Sequence, residues 1–131
     1  MLLPGYEGNR LLPEDVIKGL IERDAVIGVV PFCMFLQAGW KMADGRESIS
    51  LATLAAHVDH ICQLAGDARH VGLGTDFEGG FGLDSIPAGL DTIADMQKLG
   101  PILAAKGYSD EDVAAILGEN WLRHLRTYLP K

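Results

Sequence analysis

The sequence lacks most of the features that announce a chemistry. It has no HExxH pair, no CxxC pair, no run of lysine or arginine and no long unbroken apolar stretch. Each absence excludes a class of function. Eleven basic residues stand against eighteen acidic ones, for a formal charge of −7, and the basic residues are scattered singly. A phosphate backbone is held through basic patches, so neither nucleic acid nor an anionic membrane surface is an expected partner. A membrane-spanning helix needs about 20 consecutive, mostly apolar residues, and no window comes near that. The N-terminus, Met1-Leu2-Leu3-Pro4-Gly5, has neither the basic region nor the apolar core of a secretory leader. A soluble, cytoplasmic chain is expected. The two cysteines, Cys33 and Cys62, lie far apart among apolar neighbours. They read as reduced thiols packed as small hydrophobes.

The chain has 131 residues, 48% of them apolar, and no low-complexity segment. Such a chain folds around a core and suits one domain or a piece of a larger one. Residues 1–12 are rich in turn formers. Pro13 then opens a helix whose first turn carries Glu14 and Asp15, favourable at the positive end of the helix dipole. Ala25 to Val30 is apolar at consecutive positions and β-branched, the pattern of a strand buried on both faces of a parallel sheet. A loop is expected at about 38–48. Leu51, Leu54, Val58, Ile61 and Ala65 then recur at helical spacing, and Gly66 ends that helix. A second short strand is expected at about His70–Thr75, running into Asp76 and a glycine-rich loop. The remainder reads as helices: near 90–99, near 101–106, from a capping box at Ser109-Asp-Glu-Asp112, and from Asn120 to Leu129. The last of these presents Trp121, Leu122, Leu125 and Leu129.

Strands alternating with helices imply βαβ crossovers and a parallel sheet. Two strands cannot close a barrel, and each needs neighbours on both edges. The chain is therefore expected either to be part of something larger or to form a homo-oligomer through its exposed strand edges.

The most informative stretch is His70-Val-Gly-Leu-Gly-Thr-Asp76-Phe-Glu78-Gly-Gly80. It places a carboxylate just past the C-terminal end of a buried parallel strand, the rim where barrel enzymes gather their catalytic groups. An aspartate there can bind a metal, take a proton from a water, or structure the loop through backbone hydrogen bonds. A phosphate loop is excluded, because Phe77 stands where a third glycine would be needed and the two carboxylates would repel the anion. His57 and His60 have metal-pair spacing on their helix, but a barrel helix lies far from the strand ends, so a packed or solvated role is expected. His70 sits at the end of its strand opposite the rim and reads as structural, and His124, between Arg123 and Arg126, reads as a surface residue. Arg10 could grip a carboxylate with both arms of its guanidinium, or be one surface arginine among several.

These segments together resemble the membrane (renal) dipeptidase family of zinc peptidases. The likeness runs through Gly8-Asn-Arg10-Leu-Leu-Pro, Val26-Ile-Gly-Val-Val-Pro-Phe32 and His57-Val-Asp-His-Ile61. It continues through the Asp76 stretch, Pro87-Ala-Gly-Leu-Asp91, Gly107-Tyr-Ser-Asp-Glu-Asp-Val113 and Ile116-Leu-Gly-Glu-Asn-Trp-Leu-Arg123. Glu78 stands where the family more often has Asp, and Thr75 where it often has Ser or Gly.

The resemblance implies an α/β fold, the C-terminal portion of a (β/α)8 barrel over residues 1–131, with two parallel strands and five to six helices. It also implies two zinc ions in the complete enzyme, a metal-bridging hydroxide attacking the peptide bond, and a dipeptide as substrate. Asp76 matches the family's aspartate at the end of the last strand, which acts on the proton of the attacking water or the leaving amine. Arg10 matches the arginine that holds the substrate's C-terminal carboxylate. The family's metal ligands are an early His-x-Asp pair, a bridging glutamate and two later histidines. All lie upstream of the matched region, and no residue of this chain matches them. The resemblance thus implies a chain with no zinc of its own and no activity in isolation. The alternative is a non-catalytic, self-associating module derived from such an enzyme.

Overall fold

The computed structural model describes residues 11–77 and 79–130. Helix α1, Glu14–Ile21, follows Pro13, which stands one position before the helix in extended backbone (φ −67°, ψ 155°). Its buried residue, Ile17, faces the interior. Strand β1, Ile27–Val29, comes next, then a single helical turn, α2, Cys33–Leu36, for which the sequence offered no periodicity. The expected loop at 38–48 contains two 3-10 turns, Met42–Asp44 and Arg46–Ser48.

Helix α3, Leu51–Ala65, ends at Gly66 with φ 80°, a left-handed conformation that glycine adopts without a Cβ penalty. Leu54, Ala55, Val58 and Ile61 form its buried face. Shortening any of the larger ones to alanine costs on the order of 2–5 kcal/mol. Strand β2, Val71–Leu73, pairs parallel with β1 in the register Ile27 to Val71, Gly28 to Gly72 and Val29 to Leu73. Both strands are shorter than their apolar runs, because pairing stops where the chain turns into the loops beyond Val29 and Leu73.

The helical remainder begins later than its composition suggested. Residues Ile93–Lys98 wind as a 3-10 helix, capped by Thr92 and Asp95, before helix α4, Leu99–Ala105. The Ser109 capping box forms as expected: the Asp112 N–H donates to Ser109 Oγ at 3.1 Å and the Ser109 N–H to Asp112 Oδ2 at 3.2 Å. It starts helix α5, Asp110–Ala114. A wide turn over Ala115–Glu119, where Gly118 departs from helical angles, links α5 to helix α6, Asn120–Tyr128. The six α-helices among the described residues match the five to six expected.

Two polar clamps hold these layers together. Asp59 of α3 accepts hydrogen bonds from Tyr108 Oη at 2.6 Å and Lys106 Nζ at 2.9 Å, tying α3 to the end of α4. From α6, the Asn120 carboxamide donates to Ala68 O at 2.6 Å and Val71 O at 2.8 Å, and Trp121 Nε1 donates to Leu73 O at 3.0 Å. In a parallel ladder with this register, Gly72 bonds to β1 while Val71 and Leu73 turn their carbonyls outward. The outer edge of β2 is thus occupied by side chains of α6.

The exposed side of α6 differs from expectation. Leu122, Leu125 and Leu129 face outward, and Arg123 turns inward, where Nη1 meets the Asp24 carboxylate at 3.0 Å and Nη2 donates to Arg69 O at 2.9 Å. His124 follows Arg123 inward. It is half-buried, its ring 4.6 Å from that of Tyr128, and not the surface residue its charged neighbours suggested. A half-buried arginine with a carboxylate and a backbone carbonyl to pair with reverses the usual inside–outside reading of a helix.

Candidate active site at the strand ends

Strand β2 delivers Thr75 and Asp76 to the C-terminal end of the sheet. Asp76 has φ 50°, in the left-handed region that aspartate tolerates better than most residues. Its carbonyl accepts the Gly79 N–H at 2.8 Å, closing a tight turn. The Asp76 carboxylate then lies directly over Gly79, where any Cβ would overlap it. A side chain at position 79 would oblige the Asp76 carboxylate to turn aside. A strained non-glycine residue at a strand end, with room cleared for its carboxylate, is the kind of local cost that concentrates at functional sites.

The exposed carboxylate borders two clefts. One, of about 450 Å³, is lined by Phe32, Met34, Phe35, Gly80 and Phe81. The other, of about 620 Å³, is lined by the apolar Phe77, Phe81, Leu83, Ile86 and Ile93 and by the polar Thr75, Asp91 and Thr92. Both volumes fall within the roughly 300–1,000 Å³ typical of small-molecule sites. Phe81, from the loop after β2, stacks on Phe32, from the loop after β1, with centroids 4.5 Å apart and planes at 22°. Phe32 also meets Phe35 edge-on at 4.9 Å. The loops after both strands therefore build one rim, with Asp76 and Phe81 common to both clefts. Sequence reasoning placed Asp76 at this rim and did not single out Phe32, Gly79 or Phe81, which stand beside it. The available signal was an aromatic residue in each loop that follows a strand.

The other chemistry-bearing residues are elsewhere. His57 is buried with Nε2 2.9 Å from Leu36 O. Burial holds its pKa below the ordinary value, opposed in part by that hydrogen bond, so the ring is neutral and engaged. His70 Nδ1 lies 3.0 Å from Ala25 O, the structural role expected of it. His60 Nε2 is 3.7 Å from Glu14 Oε1, beyond hydrogen-bond reach. Cys33 and Cys62 are both free and buried. Burial pushes the Cys33 thiol up to about 11 and raises Cys62 as well, which leaves neither as a thiolate. Arg10 and Glu78 lie outside the described residues.

Among the described residues, no three His, Cys, Asp or Glu side chains converge closely enough to hold a metal ion. Among the described residues, the oxygen-bearing side chains lining the clefts with Asp76 are Thr75, Asp91 and Thr92, and no histidine or cysteine stands with them. This set does not fit a zinc pair, which demands several deprotonated nitrogen, sulfur or carboxylate ligands at about 2 Å. No helix of the described residues is long and apolar enough to cross a membrane.

A parallel strand pair joined through a helix, with a carboxylate at its C-terminal rim, is the unit from which (β/α) barrels are built. The sequence profile of the membrane dipeptidases, peptidase family M19, matches residues 6–128, and the chain belongs to that family. It is 33% identical over 122 residues to an uncharacterized dipeptidase of Schizosaccharomyces pombe, covering 93% of this chain and 28% of that protein. It is 31% identical over 117 residues to dipeptidase aclJ of Aspergillus oryzae, covering 89% of this chain and 26% of that one. Among solved structures it superposes on dipeptidase AC, a metallopeptidase of family M19, with a TM-score of 0.72 and 25% identity, over 86% of this chain and 31% of that one. An amidohydrolase from Pseudomonas aeruginosa shares the fold with a TM-score of 0.75, at 23% identity, over 92% of this chain and 41% of that one. The chain thus spans between a quarter and two-fifths of the proteins it matches.

Proposed function

We propose that this chain forms the closing strand-and-helix segment of a zinc-dependent dipeptidase. In this reading Asp76 is the catalytic carboxylate. It accepts a proton from the water that attacks the peptide carbonyl and returns it to the departing amine. Arg10 is the substrate-binding residue, its guanidinium paired with the dipeptide's C-terminal carboxylate. The observation that carries the reading is the placement of Asp76: exposed, left-handed, and cleared of side-chain obstruction by Gly79 between two clefts. The donor set described above does not fit zinc, so the zinc ligands of the working enzyme are assigned to the remainder of the barrel and no activity is assigned to this chain alone. The free thiols Cys33 and Cys62 suit a reducing, cytoplasmic setting.

The test has two arms. The purified 131-residue chain, supplied with zinc, is expected to hydrolyse dipeptides no faster than buffer. Combined with the N-terminal portion of an M19 relative, it is expected to gain turnover that Asp76→Asn lowers by about 100-fold or more. Chelator-sensitive hydrolysis by the chain alone would overturn the assignment of ligands, and full activity of the Asp76→Asn complex would overturn the role of Asp76.

A second reading, a non-catalytic module that self-associates, is favoured by the surface of α6. Leu122 and Leu125 are 42% and 45% exposed on α6 and Leu129, just past its end, is 59% exposed, and the sheet has two strands among the described residues. The side chains of Asn120 and Trp121 already occupy the outer carbonyls of β2. Self-association through a strand edge would therefore use β1. Sedimentation over a range of concentrations distinguishes the readings, since a strict monomer at high concentration rules the module out.

A further inference from the structure

Beside the polar groups of Thr75, Asp76, Asp91 and Thr92, the clefts at this rim carry one continuous aromatic wall. Phe32 and Phe81 form a stacked pair that spans the loops after both strands. At the mouths of the clefts stand three large apolar side chains left in water: Met34 at 48% exposure, Leu83 at 46% and Ile93 at 64%. Isolated exposed apolar residues are ordinary, but a set gathered around one concave rim marks a surface that something covers.

Three features narrow what covers it. The clefts are of small-molecule size. The charged group they share is the Asp76 carboxylate, and the larger cleft adds that of Asp91, so both favour a ligand with a positive or hydrogen-donating group beside its apolar part. The stacked rings offer one flat apolar wall, against which another ring or a branched side chain can pack at about 4.5–7 Å between centroids.

We propose that the Phe32–Phe81 wall is a side-chain subsite, and that it selects dipeptides carrying a bulky apolar residue, aromatic above all. The inference rests on the dipeptidase reading of Asp76 for the identity of the ligand, but the apolar wall is a property of this chain itself. Met34 caps the subsite from α2. Phe81 sets its depth, because the ring separates the smaller cleft from the larger. The free α-amino group of the peptide lies toward Asp76, where charge attraction fixes which end of the ligand faces the carboxylate.

The test is a titration of the 131-residue chain with Gly-Phe, Gly-Ala and the uncharged probe N-acetyl-phenylalaninamide. The signals to follow are the Met34 methyl and the aromatic resonances of Phe32 and Phe81. Gly-Phe is expected to shift all three and to bind at least five-fold more tightly than Gly-Ala. Phe81→Ala is expected to abolish that preference. The resonances of β2 and α6 report whether the variant keeps its fold, and Phe81→Leu serves as a milder replacement if it does not. Asp76→Asn is expected to weaken Gly-Phe while leaving the uncharged probe unchanged. Equal binding of Gly-Phe and Gly-Ala, or an absence of shifts at Met34 and Phe81 with Gly-Phe, overturns the subsite. If binding depends on Phe81 but Gly-Phe is indifferent to Asp76→Asn, the subsite stands and the reading of Asp76 falls. If binding depends on Asp76 alone, the reverse holds.

Discussion

The Asn120 carboxamide reaches from the first turn of α6 to the carbonyl of Val71 at 2.8 Å, while the same nitrogen donates to Ala68 at 2.6 Å. One buried side chain thus satisfies two outward backbone acceptors at and just before β2, groups that would otherwise need another strand. Burying a polar atom without a partner costs about 1–3 kcal/mol, so the worth of Asn120 lies mainly in what its removal would leave unpaired.

Replacing it with alanine is expected to destabilise the chain by about 2–4 kcal/mol, from two unsatisfied carbonyls and a small cavity. Asn120→Asp should do at least as badly, because a carboxylate repels both acceptors. Urea unfolding at fixed slope measures the loss. A change below about 0.5 kcal/mol, the range of ordinary surface substitutions, would mean that water serves these carbonyls equally well.

The neighbouring Trp121 gives a sharper prediction. Its indole lies against the sheet so closely that a Cβ on Gly72 would overlap Nε1. Gly72→Ala must push the ring away, which also breaks its bond to Leu73 O. Overpacking of this kind costs about 1–3 kcal/mol. The two positions act as one unit, so Gly72→Ala in a Trp121→Ala background should cost far less than in the natural chain. A double-mutant cycle showing simple additivity would exclude the contact as the cause.

His57 makes stability depend on pH. Burial lowers its pKa from the ordinary 6.5, and the Leu36 hydrogen bond offsets this only in part. The native state therefore prefers the neutral ring, while the unfolded chain takes up a proton near 6.5. The stability from the neutral ring is complete above pH 6.5 and is lost as the pH falls from there through the folded-state value. Unfolding midpoints should drop between pH 7.5 and 5. His57→Gln, which can still donate to Leu36 O without titrating, should flatten that slope. An unaltered slope would place the dependence on other groups.

These contacts show where the sequence is legible. The register of the apolar runs at 25–30 and 70–75 located both strands, and the spacing of Leu51, Leu54, Val58 and Ile61 located α3, because burial on a regular element leaves a period. Asp76 stood out for the same reason, as the first carboxylate after a buried strand. The partners around it did not. Phe32 and Phe81 are 49 positions apart and Gly72 and Trp121 equally so, and a period within an element says nothing about which loops meet. The inward Arg123 and His124 were unreadable because a charged side chain turns toward the protein only when its partner, here Asp24, is folded beside it.

Arg46 shows the same limit and yields the last prediction. From a 3-10 turn that looked like plain loop, it extends a side chain only 13% exposed. Nε donates to Ile86 O at 3.1 Å, and Nη2 to Pro87 O and Leu90 O, each at 2.9 Å. Nη1 meets the Asp91 carboxylate at 2.9 Å, but Asp91 is 63% exposed, so water screens that pair. The three carbonyls, not the charge, should dominate. A lysine keeps the charge but not the planar fork, and cannot reach all three acceptors together. Arg46→Lys is therefore expected to cost about 1–3 kcal/mol, against less than about 1 kcal/mol for Asp91→Ala. Ile86 and Asp91 also border the larger cleft, so hydrogen exchange in Arg46→Lys should quicken across residues 86–91 while α3 stays protected. If Asp91→Ala proves the costlier change, the ion pair holds this wall and the carbonyl contacts are incidental.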